Sequence, residues 1–291
     1  MMYRKTFLVL GAGLFLGFGL TLSAGADDTG LERPGFALTA LDGPGNVGQF
    51  TSVTLGADGL GLISYYDATN GNLKVAHCSN RACSSATLTT LDDTGEVGQY
   101  TSVAMGADGL GLISYYDATN NRNLKVAHCS NRACSSATLT TLDDTGDVGH
   151  YTSVTLGADG FGLISYHDVT NGNLKVAHCS NRACSSATLT TLDDTGDVGH
   201  YTSVTLGADG FGLISYHDVT NGNLKVAHCS NRACTAATIT TLDSAGEVGQ
   251  DTSVTLGADG FGLISYYDAT NGNLKVAHCS DRSCVPNPRH R

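Results

Sequence analysis

Residues 51–67 read Thr51-Ser52-Val53-Thr54-Leu55-Gly56-Ala57-Asp58-Gly59-Leu60-Gly61-Leu62-Ile63-Ser64-Tyr65-Tyr66-Asp67. Two β-rich runs flank a Gly-Ala-Asp-Gly turn, and Asp-Gly supplies the positive φ that a tight turn between twisted strands needs, so the stretch is a hairpin. Outward from it, Thr69-Asn70-Gly71-Asn72 forms a second turn, Leu73-Lys74-Val75-Ala76-His77-Cys78 a third strand and Ala86-Thr87-Leu88-Thr89-Thr90-Leu91 a fourth. Four strands in ~40–50 residues is the size of a propeller blade.

The unit recurs five times. Cys78, Cys129, Cys179, Cys229 and Cys279 mark it at intervals of 51, 50, 50 and 50 residues. The extra residue lies where Asn120-Asn121-Arg122-Asn123 replaces Asn70-Gly71-Asn72. Residues 123–184 and 173–234 are identical over 62 positions, the mark of duplication within the gene. The pattern opens with Phe36-Ala37-Leu38-Thr39-Ala40-Leu41, a copy of the fourth strand, and ends after Cys284 with Val285-Pro286-Asn287-Pro288 in place of one. The spacing predicts an all-β, five-bladed β-propeller of four-stranded blades, closed by the N-terminal strand completing the last blade. Closure removes the exposed sheet edges that the rival, an open β-solenoid, has to protect by other means. The expected repeats are 43–92, 93–143, 144–193, 194–243 and 244–284 plus 36–42, within one propeller over 27–284, followed by a short tail, 285–291.

Residues 1–26 read as a secretory signal: Arg4 and Lys5, an apolar stretch from Phe7 to Leu22, then Ala24-Gly25-Ala26 as an A-x-A cleavage site. The alternative is an uncleaved anchor helix, but sixteen apolar residues fall short of the ~20 a span needs. The remaining chain carries 14 basic against 27 acidic residues, a net charge of −13. Such a surface repels phosphate backbones and anionic lipid, which excludes nucleic acid and membrane insertion as expected partners. The 37 glycines are about 13% of the 291 residues, twice the usual ~7% and fitted to a turn-rich fold.

All ten cysteines fall in C-x4-C pairs: Cys78/Cys83, Cys129/Cys134, Cys179/Cys184, Cys229/Cys234 and Cys279/Cys284. An even, evenly spaced count behind a signal sequence predicts disulfides and a secreted or periplasmic protein. Each would join the end of the third strand to the start of the fourth across a short hairpin loop. The rival is a metal site from His77, Cys78 and Cys83, but period-two alternation sends His77 and Cys78 to opposite faces and a fourth ligand is missing.

The unit Thr-Ser-Val-Thr-Leu-Gly-Ala-Asp-Gly-x-Gly-Leu-Ile-Ser-Tyr-x-Asp resembles secreted bacterial propeller repeats related to the sialidase-type Asp-box superfamily. It departs from a full Asp-box, since Gly56-Ala57-Asp58-Gly59-Leu60-Gly61 keeps Asp and Gly but not the leading Ser or the Trp. In architecture the five near-identical blades also resemble the tachylectin-2 type of lectin, which implies a sugar site in each blade.

In a four-stranded blade, the loops entering strand one and leaving strand two share a face. That face gathers Gln49 and Phe50, Gln99 and Tyr100, His150 and Tyr151, His200 and Tyr201, and Gln250 and Asp251. Opposite them stand Tyr66, Tyr116, His167, His217 and Tyr267. Aromatic rings cover the apolar face of a pyranose while amides and carboxylates bond its hydroxyls, so all of these except Gln250 and Asp251 are candidate ligand-binding residues. The two histidine-rich copies are expected to charge below about pH 6.5. The Tyr65 series is expected to pack between blades and the Asp67 series to cap its own turn.

Five equivalent blades argue against acid–base catalysis, which needs two carboxylates in unlike environments. The expected function is therefore a monomeric, non-catalytic, multivalent lectin-like propeller that binds glycans or cell-surface polysaccharide, with no cofactor. The alternatives are a sialidase-like glycoside hydrolase or lyase centred on Asp251, the odd carboxylate of its series, or a protein-interaction scaffold. Calcium is a further alternative, because Asp143, Asp144 and Asp147 cluster in one Gly-containing loop.

Overall fold

A computed structural model describes residues 38–119 and 122–285, and the expected leader, residues 36 and 37 and the end of the tail lie outside them. The described residues form five antiparallel sheets, four of four strands and one of three. The protein is an all-β, five-bladed propeller. The first blade is β1 (Val47–Leu55), β2 (Gly61–Asp67), β3 (Asn72–Cys78) and β4 (Ala86–Asp92). The second is β5 (Val97–Met105), β6 (Gly111–Asp117), β7 (Asn123–Cys129) and β8 (Ala137–Asp143). The third is β9 (Val148–Leu156), β10 (Gly162–Asp168), β11 (Asn173–Cys179) and β12 (Ala187–Asp193). The fourth is β13 (Val198–Leu206), β14 (Gly212–Asp218), β15 (Asn223–Cys229) and β16 (Ala237–Asp243). The fifth holds β17 (Val248–Leu256), β18 (Gly262–Asp268) and β19 (Asn273–His278). Strands pair in chain order within each sheet, so every connection is a hairpin.

The Asp-Gly turn forms as its chemistry requires. Asp58 Oδ1 accepts the Leu60 amide at 3.0 Å, and Gly59 takes φ +75°. The second turn is capped by Asp67, whose Oδ1 accepts the amides of Thr69 and Asn70 at 3.1 Å.

The C-x4-C pairs are disulfides: Cys78–Cys83, Cys129–Cys134, Cys179–Cys184, Cys229–Cys234 and Cys279–Cys284, and no cysteine is free. Five disulfides belong to an oxidising setting, extracellular or periplasmic. The second cysteine of each pair stands in the short loop ahead of the fourth strand, as the spacing predicts. Cys184 and Cys234 lie in the turns ahead of β12 and β16, which start at Ala187 and Ala237. Their amides bond the Asn181 and Asn231 carbonyls at 3.1 Å, and both residues take φ +51°. Within these loops Cys134, Cys184 and Cys234 are fully buried. Cys184 packs with Ile164 and Tyr166, and Cys234 with Ile214 and Tyr216. The left-handed turn folds the sulfur back into the seam between blades, where burying it removes apolar surface from water. These cysteines are therefore core residues as well as staples, and none of them lines the axial cavity described below.

The core lies between blades rather than within one. Leu62, Leu73 and Val75 of the first blade pack on Val97, Val103, Ile113 and Tyr115 of the second, and the next three seams repeat the arrangement. Hydrogen bonds register the seams: Thr101 Oγ1 donates to Ser64 Oγ at 3.0 Å, and the Val103 amide to Ser52 Oγ at 3.1 Å. A buried triad completes each one. Asp92, at the end of β4, accepts the Tyr115 hydroxyl at 2.7 Å and the Lys125 ammonium at 2.6 Å from the next blade.

Asp42 makes the same two bonds to Tyr65 and Lys74 of the first blade, at 2.7 and 2.5 Å. It thus stands where the fourth strand of a preceding blade would end, as the expected closing strand requires. Residues 38–42 form no strand themselves, and the fifth sheet keeps three. That seam leaves Val53 68% and Leu274 80% exposed, whereas Val103, Val154, Val204 and Val254 are all 7%.

Candidate functional site

The first strand of every blade carries a bulge. Gln49 pairs with Tyr66 and Ser52 with Ser64, so Phe50 and Thr51 together oppose Tyr65 alone. Phe50 takes φ +52°, and its counterparts Tyr100, Tyr151, Tyr201 and Asp251 take +53°, +53°, +52° and +49°. A side chain in the left-handed region costs ~1–3 kcal/mol, and such bulges re-aim the residue they hold. The preceding Gly98, at φ +104°, would bring a Cβ within 2.7 Å of Leu73 Cα, so glycine is required there.

The five re-aimed residues meet at the axis. Phe50, Tyr100, Tyr151, Tyr201 and Asp251, each with the threonine that follows it, line one cavity of about 450 Å³. Four aromatic rings run round it as an arc, with centroids 4.7 Å apart for Phe50–Tyr100, 4.8 Å for Tyr100–Tyr151 and 4.7 Å for Tyr151–Tyr201. Asp251 interrupts the arc with a carboxylate. That volume falls in the ~300–1,000 Å³ range of small-molecule sites.

The other candidates line the seams around this cavity, joined by carboxylates that their own sequence did not single out as partners. Tyr66 donates to Glu96 at 3.2 Å, and Gln99 Nε2 donates to the same oxygen at 3.1 Å. Tyr116 donates to Asp147 at 2.8 Å, with His150 Nε2 at 3.0 Å from that oxygen and Arg122 on the other at 2.8 Å. His200 Nε2 stands 2.9 Å and His167 Nε2 3.6 Å from Asp197 Oδ1. His217 Nε2 is 3.0 Å from Glu247 Oε1. At the remaining seam Gln49 donates only to Asn46 of its own loop, at 3.1 Å, and Tyr267 is 39% exposed. The signal available in sequence was the acidic residue three positions before Gln99, His150, His200 and Gln250, a place that Asn46 takes before Gln49.

Burial changes the expected histidine chemistry. It pushes His167 down to about 4, with His200 adding to the effect against the bond to Val198 O. Burial likewise lowers His150 and His217 from the ordinary imidazole value. His167 therefore stays neutral well below pH 6.5, and His150 and His217 keep their neutral forms to lower pH than a free imidazole does. The Asp143–Asp144–Asp147 loop does not converge, because Asp143 turns inward to Tyr166 and Lys175 while Asp147 faces Tyr116, His150 and Arg122. Tyr115, Tyr166 and Tyr216 are fully buried, as packing residues should be.

No family model and no curated protein matches this sequence. Its fold, however, is similar to that of solved propellers. An unknown-function protein from Dyadobacter fermentans superposes with a TM-score of 0.59 at 12% identity, over 78% of this chain and 74% of that one. A GH43 beta-1,3-galactosidase solved with galactodeoxynojirimycin gives 0.52 at 8%, over 81% and 92%. An exo-beta-1,3-galactanase from Phanerochaete chrysosporium, solved with beta-1,3-galactotriose, gives 0.52 at 9%, over 84% and 66%. The likeness is one of fold.

The expectation of a non-catalytic multivalent lectin is corrected by these findings. The solved propellers that share the fold include glycoside hydrolases, so the alternative reading gains over the main one. The geometry agrees, because the bulged residues of all five blades share one axial cavity instead of forming five separate sites. The symmetry argument against catalysis treated the repeats as equivalent, whereas convergence on an axis sets one odd residue, Asp251, among the four aromatic ones.

Proposed function

We propose that this protein is a carbohydrate-active propeller that hydrolyses neutral glycosides in its axial cavity. The observation that carries the reading is one carboxylate, Asp251, set into an arc of four aromatic rings at the convergence of all five blades. The aromatic wall suits the apolar face of a pyranose, and the five threonines supply hydroxyls for its polar edge. No Lys or Arg lines the cavity, and Arg122 on the same face is paired with Asp147, so sialic acids and uronates lack a partner. The beta-1,3-galactosidase and the exo-beta-1,3-galactanase that are similar in fold, solved with galactodeoxynojirimycin and beta-1,3-galactotriose, support the reaction class.

Hydrolysis with two carboxyl groups needs a second acid besides Asp251. The lining holds no other acid, and Glu247, in the adjoining seam 3.0 Å from His217 Nε2 and 45% exposed, is the one we assign. The test is release of aryl alcohol from a panel of neutral aryl glycosides. Turnover should fall at least ~10³-fold in Asp251→Asn and in Glu247→Gln, with binding of the glycoside retained. Binding without turnover across the panel, or an active Asp251→Asn variant, overturns the reading.

A further inference from the structure

We propose that His167, Asp197 and His200 bind one divalent transition-metal ion of the zinc type at the seam between the third and fourth blades. Among the described residues, these three side chains offer ligand atoms that all lie within 4.8 Å of one another. The two imidazole rings face each other with centroids 4.1 Å apart.

The second observation is the tautomer of His167. Its Nδ1 lies 2.8 Å from the Val198 carbonyl oxygen, which can only accept, so Nδ1 carries the hydrogen. The lone pair is then on Nε2, and Nε2 faces Asp197 Oδ1 at 3.6 Å. Two acceptors confront each other at a side chain that is 3% exposed. A cation between them resolves the conflict. An outer nitrogen donating to a backbone carbonyl is also how metal-ligating histidines are ordinarily held.

The other seams lack the full set. Tyr116 stands in place of His167 beside Asp147 and His150, and its hydroxyl donates to the carboxylate directly. At the next seam Gln250 takes the place of His200 beside His217 and Glu247. Among the described residues, only the seam between the two duplicated copies brings a second-strand His of one blade against a first-strand His of the next. Two imidazoles and one carboxylate suit zinc, copper or nickel, whereas calcium takes six to eight oxygens. In a tetrahedral site with ~2.0–2.1 Å bonds the ligand atoms stand roughly 3.3 Å apart, so closure needs only small side-chain movements. His200 must then take its other tautomer, with the hydrogen on Nδ1, so that Nε2 presents a lone pair to the metal. Three protein ligands leave a fourth position for water or a ligand. Tyr151, a wall of the axial cavity, has its ring 6.3 Å from His167 and 5.5 Å from His200. The proposal stands apart from the hydrolytic reading and is read without any substrate.

The experiment is titration of chelator-treated full-length mature protein with Zn²⁺ by calorimetry and with Co²⁺ by visible absorption. One Zn²⁺ per chain is expected, Co²⁺ should give the bands of a four- or five-coordinate ion, and Ca²⁺ should not compete. His167→Tyr and His200→Gln install residues that other blades carry at the same positions, so both should fold, with unchanged near-ultraviolet dichroism. Each should weaken Zn²⁺ binding by ~100-fold or more. Asp197→Asn, at a 48% exposed carboxylate, should do the same with both imidazole rings retained. Absence of Zn²⁺ and Co²⁺ uptake by the wild-type protein, or uptake unchanged in the His167→Tyr/His200→Gln double variant, overturns the proposal.

Discussion

The Tyr115 hydroxyl and the Lys125 ammonium of the second blade converge on one oxygen of Asp92 in the first, at 2.7 and 2.6 Å. The Asp92 side chain is fully buried and that of Lys125 is 11% exposed. Removing one partner of a buried ion pair strands the other, at about 3–5 kcal/mol. Asp92→Ala should therefore shift the urea midpoint far more than Asp243→Ala, whose partner Lys275 is 32% exposed. Equal shifts would mean that the triads do not hold the seams.

The same triads set the pH range of stability. Burial tends to raise Asp92, Asp143 and Asp193, but hydrogen bonds from Lys, Thr and Tyr outweigh it and leave all three below the usual carboxylate value. Their contribution is complete above an unfolded pKa of ~3.9 and is lost as pH falls through the lower folded values. Tyr115, Tyr166 and Tyr216 are raised by burial and by those carboxylates, so their contribution is complete below pH ~10 and fades above it. The melting temperature should be flat between about pH 7 and 9, falling below ~6.5 as the unfolded chain protonates His150, His167 and His217 that the fold holds neutral, falling further below ~4, and dropping above ~10. A curve flat down to pH ~5 would mean that the fold does not hold these histidines neutral.

The blade count, strand order, turns and disulfides were legible because each rests on local chemistry repeated five times. Asp58-Gly59 makes the same turn wherever it occurs, and Cys78 reaches Cys83 through a loop too short to do otherwise. The burial of Cys184 and Cys234 was less so, because their neighbours Tyr166 and Tyr216 reach them through the fold and not through the loop. The axial cavity was not legible. Tyr100 and Tyr151 have no sequence feature announcing a left-handed bulge, since aromatics avoid that region and tertiary packing imposes it. Nor did sequence tell that His167 meets His200 of the following blade rather than His150, its own cross-strand partner.

The disulfides can be weighed singly. Each closes a loop between residues five apart, which gives ~2–3 kcal/mol on a chain-entropy estimate. Cys129→Ser with Cys134→Ser should lower stability by about that amount, because both sulfurs are fully buried beside Ile113 and Tyr115. The pairs Cys179–Cys184 and Cys229–Cys234, equally buried in the next two seams, should cost the same. The pair Cys279–Cys284 lies in the three-stranded fifth blade, packed on one side only, and its loss should cost less. Thiol alkylation of the unreduced, denatured wild-type protein should label nothing.

Asp251→Tyr separates the axial chemistry from the fold. The backbone at 251 already has φ +49°, within a few degrees of the +52° to +53° at Tyr100, Tyr151 and Tyr201. A tyrosine there completes the aromatic ring with a residue the same bulge carries in three other blades, so no new strain enters. Asp251 is exposed and makes no side-chain hydrogen bond among the described residues, so its removal leaves no buried partner unpaired. Stability to urea should stay within ~0.5 kcal/mol of wild type, the range of surface changes. The cavity loses its carboxylate and part of its volume, and turnover of neutral glycosides should disappear. Wild-type turnover by Asp251→Tyr would remove the carboxylate from the mechanism. A large loss of stability would instead assign Asp251 to holding the fifth blade.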